Sequence, residues 1–108
     1  MLLGRISESL SSCTSLHQIN LAHNSLLGQI PATLGSLQSL NSLNLSINKL
    51  SGEILESFSS LKLSLLNLSR NQLIGRVSDT LSISAYNSSF AENPGLCNHN
   101  IRYLHPCL

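Results

Sequence analysis

The strongest constraint on this 108-residue chain is a spacing that recurs three times. Leu16, Ile19, Leu21 and Asn24 set the pattern, Leu40, Leu43, Leu45 and Asn48 repeat it, and Leu63, Leu66, Leu68 and Asn71 repeat it again. A second half follows each time: Leu26, Gly28, Ile30, Pro31, Leu34 and Leu37; then Leu50, Gly52, Ile54, Phe58 and Leu61; then Leu73, Gly75, Val77 and Leu81. Asn24 and Asn48 lie 24 residues apart, and Asn48 and Asn71 lie 23 apart. Leu3-Gly4-Arg5-Ile6 through Leu10 and Cys13 matches the second half alone. A fixed period of this length marks a stack of like units rather than a folded-back core.

The residue types explain the stack. Alternate side chains of a strand point to opposite faces, so Ile19/Leu21, Leu43/Leu45 and Leu66/Leu68 are expected to point inward. One unit cannot bury that face alone, and stacking the next at the parallel-strand spacing of roughly 4.8 Å closes a continuous core. Asn24, Asn48 and Asn71 fall where the chain leaves the strand, and there a buried amide can meet backbone groups that no strand partner reaches. Gly28, Gly52 and Gly75 free the backbone for a second turn. A helical bundle or coiled coil is the competing reading of so much leucine. Leucines at offsets 0, 3, 5 and 10 fit neither a 3.5 nor a 3.6 period, and Gly and Asn recur inside each would-be helix.

Composition excludes several function classes. Leucine fills 24 positions and serine 21, aromatics are 4%, charged residues 10%, and the net charge is +1. No basic stripe exists to neutralise phosphates, so nucleic acid is not an expected partner. Apolar runs of two or three residues exclude a membrane-spanning helix, and Met1-Leu2-Leu3-Gly4-Arg5 lacks the apolar core of a signal peptide. No G-x-S-x-G, P-loop, C-x-x-C or paired metal carboxylates appear, and the four histidines are scattered, with His17 and His23 on a turn expected to face solvent. No enzyme activity, cofactor or metal is expected. In the tail, Cys97-x-His99 and His105-x-Cys107 offer two thiols and two imidazoles, the ligand set of a structural zinc site, although with one residue between ligands rather than the usual two to four.

The spacing L-x-x-L-x-L-x-x-N-x-L followed by L-x-G-x-I-P resembles the leucine-rich repeat in its plant-type form. The expected fold is an α/β-type leucine-rich-repeat solenoid. It would have short parallel strands on the concave face, an irregular or 3-10 convex side, about three full repeats, a partial one and a C-terminal cap. The units are 1–15 (partial repeat), 16–39, 40–62 and 63–86 (repeats) and 87–108 (cap with a Cys pair). Leu37 to Ser46, Ser60 to Ser69, Leu81 to Ala85 and Phe90 to Cys97 together resemble the ectodomains of plant leucine-rich-repeat receptor-like kinases, most of all the HAIKU branch, at the last repeats before the membrane. Asn93-Pro94-Gly95-Leu96-Cys97 with Cys107 looks like the C-terminal cap of such ectodomains, which implies a Cys97–Cys107 disulfide. Cys13 is left over and is expected to be a buried, inert thiol. The resemblance implies perception of a small secreted peptide and docking of a co-receptor kinase ectodomain at the extracellular face of the plasma membrane.

The chain also departs from that family. An N-terminal cap, most repeats, the transmembrane helix and the serine/threonine kinase domain are missing from these residues, so the chain as written is not expected to signal across a membrane. It reads as an excised or truncated piece or the product of a shortened gene. Ser7, Leu55 and Ser78 replace the proline that survives only at Pro31. The partial repeat is expected to leave a strand edge unpaired at Leu16 to Asn24, with apolar Leu2, Leu3 and Ile6 alongside.

Function in a solenoid lives on its exposed strand positions. Here they form the columns Gln18, Ser42 and Leu65; Asn20, Asn44 and Asn67; and Ala22, Ser46 and Ser69. The face is polar and uncharged. Arg70 at its edge is the residue type that favours binding hot spots, but it has no second arginine in the column His23, Ile47, Arg70. Partner contact at Gln18, Asn20, Ser42, Asn44, Leu65, Asn67 and Arg70 competes with the plainer reading of a solvated flank. The resemblance favours instead the co-receptor side and cap, from Arg76 to Tyr103. Three N-x-[ST] sequons begin at Asn44, Asn67 and Asn87, with Asn87 in a loop and the best acceptor. The chain reads as a protein- or peptide-binding module. The alternatives are a secreted or truncated repeat protein acting as a decoy, or an inhibitor of a pathogen enzyme.

Overall fold

A computed structural model describes residues 1–108. In chain order the strands are β1 (Leu3–Arg5), β2 (Gln18–Asn20), β3 (Ser25–Gln29), β4 (Ser42–Asn44), β5 (Lys49–Glu53), β6 (Leu65–Asn67), β7 (Gln72–Arg76) and β8 (Gly95–Cys97). Short 3-10 turns at Glu8–Ser12, Ala32–Ser36, Glu56–Ser60, Asp79–Leu81 and Ser84–Tyr86 close the coils. The strands form two parallel sheets, β2-β4-β6 and β1-β3-β5-β7-β8. The first is the expected strand face, and in it Ile19, Leu43 and Leu66 stand in register and are buried. The second was not legible in the sequence, where the same residues read as irregular chain.

The second sheet depends on its glycines. Gly52 has φ +77°, a left-handed conformation within β5, and a side chain there would also meet Gln29 Cγ at 2.7 Å. Arg5 lies across Gly28 and Glu53 across Gly75 in the same way. The glycine column therefore does two jobs: it takes the positive φ, and it makes room for a side chain from the preceding coil.

Leucine-type side chains fill the space between the sheets and the 3-10 turns as one core of 23 residues. The asparagines fix how the coils sit on one another. Asn48 Nδ2 donates to Leu45 O at 3.1 Å and Ser46 O at 3.2 Å in its own coil, and to Leu21 O at 3.0 Å in the coil before. Its Oδ1 accepts from Leu26 N at 3.0 Å. Asn71 repeats the arrangement with Leu68, Ser69, Leu45 and the Leu50 amide. Asn24 makes it with Leu21, Ala22 and the Leu2 amide, half-buried because no further coil covers it.

Two expectations need correction at the first coil. Cys13 is exposed, not buried. The residue one coil on, Leu37, is 1% exposed because coils lie on both sides of it, whereas Cys13 has a neighbour on one side only. Ile6 is buried under the second coil, while Leu2 and Leu3 stay exposed as expected. β2 pairs only with β4, so its outer edge is open.

The residue before each asparagine turns left-handed: His23, Ile47 and Arg70 have φ of 59°, 56° and 57°. Such a conformation costs an ordinary L-residue roughly 1–2 kcal/mol and a β-branched one is the poorest choice, whereas asparagine adopts it readily. Ile47→Asn should therefore raise the unfolding free energy by about 1 kcal/mol in a urea titration. Asn48→Ala should act in the opposite direction. It strands the buried Leu26 amide and takes one of two donors from Leu21 O, Leu45 O and Ser46 O, and should cost about 2 kcal/mol by the same measurement, with Asn24→Ala costing less at its half-exposed position.

Candidate interaction surface

The strand face of β2-β4-β6 carries the columns expected from the repeat. Gln18, Ser42 and Leu65 are register partners, and so are Asn20, Asn44 and Asn67. Gln18, Asn20 and Leu65 are exposed, while Ser42, Asn44 and Asn67 are half-buried by their neighbours. The column asparagines are fixed by local bonds. Asn44 Oδ1 accepts from Ser46 N at 3.1 Å and Ser46 Oγ at 2.7 Å. Asn67 Oδ1 accepts from Ser69 N at 3.0 Å and Ser69 Oγ at 2.7 Å, and Asn20 Oδ1 accepts from Ala22 N at 3.2 Å. A short polar side chain that accepts from the amide two residues on makes an Asx turn, which is why asparagine suits the end of these strands.

Arg70 does have a partner. Its Nε donates to Glu92 Oε2 at 2.7 Å, and Glu92 extends the column His23, Ile47, Arg70 by one coil, with the same left-handed φ of 58°. Both side chains are about 60% exposed, so the pair adds little stability. Its effect is to neutralise the one cation at the edge of the face.

The cap is a disguised fourth copy of the turn. Ser89 O and Ala91 O accept from Leu68 N at 2.7 Å and Arg70 N at 2.9 Å, so the chain runs beside β6 as another strand would. Asn93 then takes the ladder position. It donates to Phe90 O and Leu68 O and accepts from Leu73 N at 3.1 Å. Sequence reading missed Asn93, yet Phe90-x-x-Asn93 copies Leu68-x-x-Asn71, and that spacing could have found it. Tyr86 donates its hydroxyl to Leu63 O at 2.8 Å and closes the bottom of the core.

The tail is tied down by the Cys97–Cys107 disulfide, and both sulfurs are thereby withdrawn from the zinc arrangement, leaving His99 and His105 as exposed imidazoles. Asn98 fastens this segment to the last full coil. Its Nδ2 donates to Val77 O and to Asp79 Oδ1, each at 2.8 Å. An open groove borders the cap, lined by Ser88, Ala91, Glu92, Pro94, Tyr103 and His105. Tyr103 is 66% exposed, and Arg102 lies 5.6 Å from its ring centre. Of the sequon asparagines, Asn87 is exposed and Asn44 and Asn67 lie side by side on adjacent strands.

The Leucine Rich Repeat family model matches residues 15–37 and 39–61, the two coils whose strands and asparagine turns have just been described. The chain has the leucine-rich-repeat fold. No curated protein matches it in sequence. Among solved structures, the leucine-rich-repeat coils superpose on a chain from the Arabidopsis receptor kinase HAESA in complex with the peptide hormone IDA and the co-receptor SERK1. There the identity is 44% and the TM-score 0.84, over 89% of this chain and 16% of that one. The BIR2 ectodomain of Arabidopsis thaliana is 35% identical with a TM-score of 0.90, over 98% of this chain and 56% of that one. The ectodomain of GASSHO1/SCHENGEN3 from Arabidopsis thaliana, in complex with CASPARIAN STRIP INTEGRITY FACTOR 2, is 34% identical with a TM-score of 0.88, over 99% of this chain and 13% of that one. This leucine-rich-repeat chain spans less than two thirds of each neighbour, and these neighbours are plant receptor ectodomains.

The bond from Asn98, with the Arg76 guanidinium beside it, holds the Asp79 carboxyl below the ordinary carboxylate value of 3.8. A lowered pKa in the folded state stabilises the fold above the unfolded pKa, and that contribution is lost as pH falls through the folded one. Hydrogen exchange at the amides of residues 98–107 should thus be insensitive to pH around neutrality, once intrinsic rates are divided out. Protection should weaken below about pH 4, and Asp79→Asn should remove that acid step.

Proposed function

We propose that the chain is a non-catalytic protein-interaction module of the plant receptor-kinase ectodomain type, serving peptide perception and co-receptor docking at the extracellular face of the plasma membrane. Within that class it is assigned to the HAIKU branch and to the membrane-proximal end of the ectodomain, with repeats at 16–39, 40–62 and 63–86 and a cap from residue 87. The observation that carries this reading is the 44% identity over 89% of the chain to HAESA, whose crystal structure contains a peptide hormone and a co-receptor. The molecule's own surface supports it. The module offers a strip of polar side chains at Gln18, Asn20, Ser42, Asn44 and Asn67 with one exposed apolar residue, Leu65, and beyond Arg70 a groove with an exposed tyrosine, the side-chain class that anchors interfaces. Asn87, exposed beside the cap, is the favoured N-glycan acceptor, with Asn44 and Asn67 as further sequons.

The test is binding of the whole oxidised chain, secreted from plant cells, to the SERK1 ectodomain by calorimetry, with and without IDA peptide. Saturable binding that weakens at least tenfold in Tyr103→Ala is the expected result. Absence of any heat with SERK1, alongside binding to a wall-degrading hydrolase, would transfer the chain to the inhibitor class.

A further inference from the structure

We propose that the groove beside the cap is the seat of the chain's own N-glycan, with the first sugars attached at Asn87 lying against Tyr103. The glycan is supplied by the extracellular reading given above, on which this seat rests. Ser89 O and Ala91 O accept from Leu68 N and Arg70 N just as Asn67 O and Ser69 O accept from Leu45 N and Ile47 N, so Ser89 stands at the Asn67 position one coil on. Asn87 precedes Ser89 by two residues, the offset at which exposed Leu65 precedes Asn67, and is itself exposed. Its neighbour Ser88 lines the groove together with Glu92, Tyr103 and His105. A glycan on Asn87 Nδ2 therefore starts at the rim of this groove.

The chemistry of the groove suits a pyranose. A sugar ring has an apolar face of C–H groups and a rim of hydroxyl and acetamido groups, so it needs one flat apolar partner and several polar ones. Tyr103 is the flat partner, 66% exposed with Arg102 over its ring at 5.6 Å. Its φ of 71° is left-handed, a conformation that a tyrosine holds only where the surrounding chain imposes it. It lies inside the loop that the Cys97–Cys107 disulfide closes. The polar partners are the hydroxyls of Ser88 and Tyr103 and the His105 imidazole, none of which bonds to another group of the chain. The groove has a volume of about 620 Å³, within the roughly 300–1,000 Å³ of small-molecule sites. A sugar–tyrosine contact is weak, but attachment makes it intramolecular, and a short tether sets an effective concentration in the millimolar range. Millimolar affinity then fills the groove for much of the time. A seated glycan hides Tyr103 from a docking partner.

The test uses the whole oxidised chain, isotope-labelled and secreted from plant cells, with Ser46→Ala and Ser69→Ala. These changes remove the other two sequons and place alanine where the first coil already has Ala22. By NMR, protons of the first two sugars should shift upfield, as they do over the face of an aromatic ring, and show nuclear Overhauser contacts to Tyr103. Tyr103→Phe should keep both signatures. Tyr103→Ala, a change at an exposed side chain, should abolish them with an unchanged thermal melt. Sugar signals at free-glycan positions, sugar signals that ignore Tyr103→Ala, or an unmodified Asn87 overturn the proposal. So does a response of the Asn87→Gln chain to free chitobiose while the attached glycan stays in solvent, which would give the groove to an external saccharide. Asn87→Gln should also tighten SERK1 binding about threefold, the gain expected of a groove that is open about one third of the time and becomes fully open. SERK1 binding without the sugar contacts defeats the seat alone. Sugar contacts without SERK1 binding by either form uphold the seat and defeat the receptor reading instead.

Discussion

The rest of the molecule depends on the bond that each turn asparagine throws back to the coil before it. Burying a leucine-type side chain contributes about 1.5–3 kcal/mol, so the leucine ladder supplies most of the stability. That force is non-directional and would hold many slipped stacks nearly as well. Asn48 reaches Leu21 O, Asn71 reaches Leu45 O and Asn93 reaches Leu68 O, and each also takes an amide of the preceding coil. A slip of one residue would leave the buried Leu26, Leu50 and Leu73 amides unpaired, at about 1–3 kcal/mol each. Leucine supplies the energy and asparagine the register. Both sheets, the glycine column and the outward-facing columns follow from that register.

The same logic sets the two ends apart. After the last full coil, Asn93 continues the ladder and the Cys97–Cys107 segment covers Leu96, which is 1% exposed. At the first coil nothing stands on the outer side, and Leu10, Leu16 and Leu21 are only partly buried where Leu34, Leu40 and Leu45 are at most 2% exposed. These are leucines at equivalent positions. Burial in a stack therefore belongs to a position and both its neighbours, not to the residue type.

That is also why some features could be read from the sequence and others could not. The columns Gln18/Ser42/Leu65 and Asn20/Asn44/Asn67 follow from a period that every coil repeats, so spacing alone places them. Cys13 sits at a position that is interior in the next two coils, at Leu37 and Leu61, and was misread for that reason. The second sheet was hidden because Ser25-Leu26-Leu27-Gly28-Gln29 carries a glycine where a strand is least expected, and only the side chain of the preceding coil lying over that glycine explains it. Glu92 and Asn93 were missed because the cap abandons the leucines on either side of them while keeping the turn. Asp79 had no sequence signal at all, since its role is set by Asn98 from across the chain.

The strip also bounds how tightly anything can bind to it. Its side chains are already held by Asx turns, so a partner orders little on arrival, and the entropic cost of binding is low on this side. Each neutral hydrogen bond nevertheless adds only about 0.5–1.5 kcal/mol net, and three together reach about 4.5 kcal/mol at most. A micromolar complex needs about 8 kcal/mol. The missing half has to come from apolar and aromatic burial, and the face offers only Leu65 for that. Beyond β6 the chain supplies Pro94, Tyr103 and His105 along the cap groove. A partner of useful affinity must therefore extend past Arg70 and Glu92 onto the cap, where the strip aligns it and the groove retains it.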